Sequence, residues 1–113
     1  MVKEKINFLT SVKTSGSTIA YSVVNPNPLS TMFVSLTHVS AGSSVVAFEG
    51  LGTSGSTYVS VFARNITTGS YAVGTTGTNL DEIWSLPIAG FEKVRLNVTL
   101  SSGSLTAVGK VVY

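Results

Sequence analysis

The segment VRLNVTL, residues 94–100, alternates apolar and polar side chains without interruption, and this alternation limits the fold more than any other feature of the chain. Successive side chains of a strand point to opposite faces, so an extended backbone collects every apolar side chain of the segment on one face. The apolar positions are Val94, Leu96, Val98 and Leu100, and the polar positions are Arg95, Asn97 and Thr99. We therefore predict a strand with one buried face and one face that meets solvent or a partner.

The same period of two continues through most of the chain, and almost no segment has the period of a helix. The runs are rich in Val, Ile, Thr, Tyr and Phe, which favour strands. We predict strands over residues 6–12, 18–24, 32–38, 44–49, 57–63, 70–73, 82–86, 93–100 and 104–112. Short strands separated by Gly-, Asn- and Ser-rich turns are typical of sandwiches and barrels. The 113 residues thus predict a single domain over 1–113 that is all-β, an antiparallel β-sandwich with a jelly-roll-like arrangement.

The pentapeptide TSGST occurs at residues 14–18 and 53–57, and the related SSGSLT spans 101–106. The unequal spacing of the three segments argues against an internal repeat, and none has the G-x-S-x-G spacing of a nucleophile elbow. Gly adopts positive φ easily and Ser bonds to turn backbone, so we predict that the segments form hairpins and turns at strand starts. The Asn-Pro-Asn-Pro stretch at 25–28 cannot continue a central strand and is predicted to cross between sheets.

Charged residues make up only 11% of the chain, against about 25% in a typical soluble domain. A polar surface with so few charges lacks the repulsion that keeps monomers apart, which favours a chain that works in an assembly. The basic residues are scattered and the net charge is +2, so we expect no nucleic-acid partner. No apolar run approaches the roughly 20 residues of a membrane span, and we expect a soluble protein made in a cytoplasm, with no membrane partner.

Residue types that carry catalysis are sparse in this chain. It has no cysteine, one histidine at His38 and one aspartate at Asp81, so a single Ser-His-Asp set is possible by count but has no supporting motif. Zinc and calcium ligand motifs are missing, and so is a Gly-rich loop that opens a helix to hold phosphate. We therefore predict that the chain is not an enzyme and binds no metal or cofactor, with catalysis at His38 as the weakest alternative.

Three side chains are candidates for an interface or ligand contact: Trp84, Tyr58 and Arg95. Trp84 is the best candidate for a sugar-stacking platform, although packing in the core or at a subunit interface is the favoured interpretation. Tyr58 is the second residue of TYVSVFA, residues 57–63, a strand that we expect to be covered on both sides. Arg95 lies on the polar face of its strand, where we predict an ion pair with Glu49 or Glu92 and consider a subunit contact as the alternative.

Two long stretches resemble a β-sandwich module that is common in tailed-bacteriophage virion proteins: VVAFEGLGTSGSTYVSVFARNITTG and IWSLPIAGFEKVRLNVTLSSGSLTAVGKVV. The residues that match are Phe48, Glu49, Gly50, Tyr58 in place of the usual Trp, Trp84, Ala89, Gly90, Phe91, Val94, Arg95, Val98, Thr99, Ser102, Gly103 and Ser104. In the family the last of these form a Ser-Gly-Ser hairpin. The usual Asp-Gly turn of the first hairpin is here Thr-Ser-Gly-Ser, so an acidic turn ligand is missing.

The resemblance implies a structural part of a virion and leaves its position in capsid, neck, tail or fibre open. We predict a capsid decoration or cement protein, made in the host cytoplasm and located in the virion. It would assemble as a homo-oligomer, with a trimer favoured, and bind other virion proteins such as the major capsid protein. The alternative is a carbohydrate-binding or receptor-binding module of a tail or fibre that uses Trp84 and Tyr58.

Overall fold

The structure, a computed structural model, describes residues 3–12, 16–17, 20–23, 30–39, 44–52, 55–75, 81–100 and 103–112. Within these ranges the chain forms strands and turns and no helix. The strands are β1 (Lys3–Val12), β2 (Gly16–Ser17), β3 (Tyr21–Ser22), β4 (Thr31–Val39), β5 (Ser44–Leu51), β6 (Val59–Ser60), β7 (Ala63–Asn65), β8 (Tyr71–Ala72), β9 (Glu82–Pro87), β10 (Lys93–Leu100) and β11 (Ser104–Val112). The predicted all-β fold is confirmed.

The strands form two antiparallel sheets. The six-stranded sheet has the order β1-β11-β4-β9-β7-β8, and the five-stranded sheet has the order β2-β10-β5-β6, with β3 also paired to β10. The chain passes repeatedly between the sheets, so that β4, β9 and β11 each have a neighbour in sequence that belongs to the other sheet. The predicted antiparallel β-sandwich is thus confirmed, and its jelly-roll-like arrangement stays a prediction.

The predicted strand bounds hold to within three residues where a strand stays in one sheet. β10 and β11 have the bounds 93–100 and 104–112 that the alternation predicts. The strands predicted over 18–24 and 57–63 are both interrupted, because the first includes only the short β3 in the described residues and the second divides into β6 and β7 in different sheets. Apolar and polar residues can keep alternating in the sequence where the backbone bends. The alternation therefore does not reveal where a strand changes sheet.

The Ser-Gly segments have three different structures. In the second segment, Gly55 N donates to Gly52 O over 2.9 Å and the chain returns from β5 to the antiparallel β6, which confirms the predicted hairpin. In the first, Gly16 and Ser17 form β2 itself, and Gly16 has a φ of 151° that favours glycine. The hairpin predicted at the third segment is wrong, because β10 and β11 lie in different sheets and the chain crosses between them.

The Asn-Pro-Asn-Pro stretch at 25–28 lies outside the described residues. The strand before it, β3, belongs to the five-stranded sheet, and the strand after it, β4, belongs to the six-stranded sheet. The chain therefore changes sheet between these two strands, as the sequence predicts for this stretch.

The core lies between the sheets and receives side chains from both. In β10, Val94, Leu96 and Val98 are 1%, 1% and 2% exposed, which confirms the buried face predicted from alternation. Phe48 of β5 meets Trp84 of β9 across the core, with ring centroids 5.4 Å apart and planes tilted by 44°. Aromatic pairs at this spacing add to the stability that area burial alone provides.

One side of the sandwich is closed by a segment that passes from one sheet to the other and back. β6 pairs with β5, and the following β7 pairs with β9 in the other sheet. After β8 the chain returns to β5, where Phe48 N donates to Val73 O over 3.0 Å and Thr75 N donates to Val46 O over 2.9 Å. Phe62, where the chain changes sheet, is 65% exposed. The expectation that this strand is covered on both sides is wrong, because at the border of the sandwich only one face meets the core.

The first test of this packing uses two glycines. A Cβ added at Gly109 would lie 2.6 Å from the ring of Phe8 and 3.5 Å from Sδ of Met32, and both side chains are buried. We expect Gly109→Ala to lower the free energy of unfolding by about 1–3 kcal/mol in urea denaturation, because overpacking displaces core side chains. Gly90→Ala is the matched control, since no atom lies within 4 Å of the added Cβ. Equal effects at both positions would contradict the packing of Phe8 against Gly109.

Candidate functional site

Arg95 and Glu49 form an ion pair on the outer face of the five-stranded sheet. The register of β10 with β5 places the two residues directly opposite each other, and burial of the flanking Val94 and Leu96 turns Arg95 outward. Arg95 Nε donates to Oε1 of Glu49 over 2.8 Å. The side chains are 28% and 20% exposed, so water screens the pair only in part. Of the two predicted partners of Arg95, Glu49 is confirmed.

The guanidinium of Arg95 also lies over the ring of Tyr58, with Cζ 3.7 Å from the ring centroid. Tyr58 directly precedes β6, whose Ser60 pairs with Glu49. The three side chains Tyr58, Glu49 and Arg95 therefore form one group, here named the Arg95 cluster. A guanidinium that is held by a carboxylate and by an aromatic face keeps little rotational freedom, so a partner that contacts it meets an ordered surface.

The Arg95 cluster has the chemistry of a protein contact more than that of a small-ligand site. Tyr and Arg are enriched where protein interfaces are strongest. The same outer face includes Val45, which is 41% exposed. The charge of Arg95 is already balanced by Glu49, so this cluster is not a free anion site. Among the sequence candidates, the structure thus brings Tyr58 and Arg95 together.

Trp84 lies in the core, away from this surface. Its side chain is 5% exposed and packs against Phe48. Its Nε1 is buried and has no hydrogen-bond partner among the described residues. A buried ring offers no platform on which a sugar could stack, so Trp84 acts here in packing the two sheets together. The sequence signal for this position is its period-two relation to Leu86, which is also buried.

A small cavity of about 290 Å³ lies between the turn after β7 and the start of β9, and its lining residues are Asn65, Thr67, Thr68, Asp81 and Glu82. Oδ1 of Asn65 accepts hydrogen bonds from Thr67 N at 2.9 Å and Thr68 N at 3.2 Å, so this oxygen holds the turn. The side chain of His38 lies outside the described residues, and catalysis at His38 therefore stays a hypothesis without a geometry.

Two further observations concern only the described ranges. No three His, Cys, Asp or Glu side chains gather there into a group that could hold a metal ion. No helix in those ranges is long and apolar enough to cross a membrane.

Comparison with known proteins identifies the family. A family model described as XepA matches residues 3–111, which include the Arg95 cluster and Trp84. The chain belongs to the XepA family. Among solved structures, the SPBc2 prophage-derived protein YomS is 23% identical with a TM-score of 0.84, and the match covers 99% of this chain and 94% of YomS. The PBSX exported protein XepA is 19% identical with a TM-score of 0.85, and the match covers 99% of this chain and 38% of XepA.

The two solved structures differ in how much of each is matched. The chain corresponds to nearly the whole of YomS and to 38% of the longer XepA. At identities below 25% the structural likeness shows a shared fold. None of the curated proteins compared with the chain matches it in sequence.

The Arg95 cluster generates a prediction for a double-mutant cycle. We expect Arg95→Met, Glu49→Gln and their combination to give a coupling of about 0.5–1.5 kcal/mol in the free energy of unfolding, because the pair is a partly buried, charge-assisted hydrogen bond. Raising NaCl should reduce the coupling. Lys93→Met combined with Glu49→Gln is the control, since Lys93 pairs with Leu51 in the same strands. A coupling near zero for Arg95 and Glu49 would contradict the ion pair.

Trp84 is the single tryptophan of the chain, so its fluorescence reports its burial directly. We expect native emission at the short wavelengths of an apolar environment, weak quenching by iodide, and a shift to longer wavelength in urea. We also expect no change in emission on titration with a panel of monosaccharides, because the buried ring cannot stack on a sugar. Free tryptophan amide is the reference, and iodide quenching of the native protein equal to that of the reference would contradict burial.

Proposed function

We propose that this chain is a non-enzymatic structural protein of a bacteriophage particle and that it works by binding other protein subunits. The observation that carries the proposal is the match of the fold over nearly its whole length to a protein described as SPBc2 prophage-derived. The family match over residues 3–111 supports the same origin. The motif resemblance to virion β-sandwich modules agrees with both, and capsid decoration is the specific role that we propose.

The sheet edges support a role in assembly. β1 is a ten-residue strand at the end of the six-stranded sheet, where a strand of another subunit can add to the sheet. Register shifts after Asn7 and after Leu9 twist the second half of β1. The first half of β1 is therefore the part whose edge is regular enough to pair with another strand. We propose that the chain associates with further copies of itself or with a capsid subunit through its edges and outer faces.

A cement role follows from buried area. A stable protein interface buries about 1,600 Å² in total, and a subunit that spans a junction of the shell adds such an interface on each side. Separating the junction then requires that both interfaces break. The ordered Arg95 cluster suits this role because few side-chain rotations are lost when a partner binds.

We favour assembly over a carbohydrate-binding or receptor-binding role. The alternative relied on Trp84 and Tyr58 as stacking platforms. Trp84 is 5% exposed, and one face of Tyr58 is occupied by Arg95 at 3.7 Å. A sugar that stacked on this face would have to displace the guanidinium, which would also weaken the bond to Glu49.

The test uses particles from the phage that encodes this chain, produced with and without its gene. We expect mass spectrometry to find the chain in purified wild-type particles, and particles without it to release DNA at lower temperature and under milder osmotic shock. Adding the purified protein back should restore resistance, with an unrelated β-sandwich protein as the control. Particles that never contain the chain would contradict the virion role, and equal resistance of the two particle types would contradict the cement role.

A further inference from the structure

The outer face of the six-stranded sheet carries cations and aromatic rings in one continuous row. Strand pairing places Lys5 opposite Lys110, Lys110 opposite Phe33, Phe33 opposite Ser85, Ser85 opposite Arg64, and Arg64 opposite Tyr71. The row crosses all six strands and is about 24 Å long, since neighbouring strands lie about 4.8 Å apart. We name these six residues the Lys110 row.

None of the six residues of the Lys110 row is acidic, and Asp81, the exposed acidic residue that shares this face by alternation, lies four residues before Ser85. Lys5 and Lys110 are exposed and lie directly opposite each other, an arrangement of like charges that weakens a sheet. Arg64 is also exposed. This face thus differs from that of the five-stranded sheet, where Glu49 balances Arg95.

An exposed apolar group adjoins the Arg64 end of the row. Tyr71 is 69% exposed, Phe62 is 65% exposed, Ile83 is 46% exposed and Val73 is 39% exposed. Ile83 lies on this face because it alternates with the buried Trp84, and Phe62 and Val73 lie just beyond the ends of the paired strands β7 and β8, two residues from Arg64 and Tyr71. Adjacent exposed apolar side chains mark interaction sites, and their combination with Arg and Tyr is typical of protein interfaces.

We propose that the outer face of the six-stranded sheet, centred on the Lys110 row, docks onto an acidic surface of another protein of the particle. The proposal rests on the proposed function and names the surface through which it operates. Three cations in a row with no acidic member are complemented by a partner with clustered carboxylates, and the apolar group at the Arg64 end is complemented by an apolar contact beside them.

A second copy of this chain does not meet these requirements. A two-fold contact of this face with itself would set the three cations of one copy against those of the other. Of the exposed acidic residues in the described ranges, Asp81 precedes β9 and Glu92 precedes β10, in strands of different sheets, so they form no matching cluster.

Nucleic acid fits the face less well than protein does. Three cations distributed over about 19 Å, from β1 to β7, can neutralise few phosphates, which leaves little of the electrostatic term that dominates such binding. Tyr71 and Phe62 have rings on which bases could stack, but Ile83 and Val73 beside them do not, and this aliphatic part of the exposed group suits a protein contact. The footprint suits a protein, because the six strands, which range from two to ten residues, together cover roughly 600 Å² at about 3.3 Å per residue and about 4.8 Å between strands. One partner in a standard protein interface contributes about 800 Å².

The experiment measures binding of the purified chain to particles that were produced without it, by co-sedimentation over a range of concentrations. We expect Lys110→Glu and Arg64→Glu each to raise the Kd by tenfold or more, and NaCl to weaken binding of the wild-type chain. Lys93→Glu makes the same change of charge on the other sheet and should raise the Kd several-fold less than either row variant does. Circular dichroism and thermal melting of all variants check that the fold is kept, since both substituted side chains in the row are exposed.

The outcomes separate the docking surface from the proposed function. If the wild-type chain binds particles and the two row variants bind as well as Lys93→Glu, the docking surface is wrong while the particle role stands. If the wild-type chain does not bind particles, both fail. Duplex DNA and vesicles with 30% anionic lipid are run in parallel, and a Kd for either that is lower than the Kd for particles would also overturn the proposal.

Discussion

Burial of two sheet faces against each other is the constraint on which the rest of this structure depends. The contact between Phe48 and Trp84 lies where side chains of the two sheets meet, and the same buried cluster includes Leu36 and Leu86 from one sheet and Leu96 from the other. Each such side chain contributes about 1.5–3 kcal/mol by leaving water, more than one exposed ion pair does. A chain with 11% charged residues therefore owes its stability chiefly to this layer.

The buried layer also determines what the outer faces present. Because side chains alternate, burial of Gly109 and Val111 turns Lys110 outward, as burial of Val94 and Leu96 turns Arg95 outward. A shift of one residue in either strand would put a cation into the core. The positions of Lys110 and Arg95 on opposite outer surfaces are thus as firmly specified as the core itself.

How much could be predicted from the sequence follows from how local each feature is. The alternation in 93–100 and 104–112 is local, and both strands were predictable to the residue. The change of sheet at Phe62 depends on which strands pair with β6 and β7. These partners are distant in the sequence, so the residues around Phe62 do not indicate the change. The sequence allowed us to predict that Arg95 forms an ion pair, because a lone cation on a polar face needs a partner. It did not distinguish Glu49 from Glu92 as that partner, because the choice depends on the register of β5 with β10.

The Lys110 row shows why a scattered charge pattern is a poor guide to the surface of a sheet. Its members come from six strands and are far apart in the chain, so the sequence predicts no line of cations, yet strand pairing sets them side by side. The two outer faces consequently differ in charge: on the five-stranded sheet Glu49 balances Arg95 and Lys93 remains, whereas the row on the six-stranded sheet has three cations and no acidic member. Since an interface selects its partner by complementary charge, two unlike faces on one rigid sandwich allow a single small domain to hold two different neighbours together.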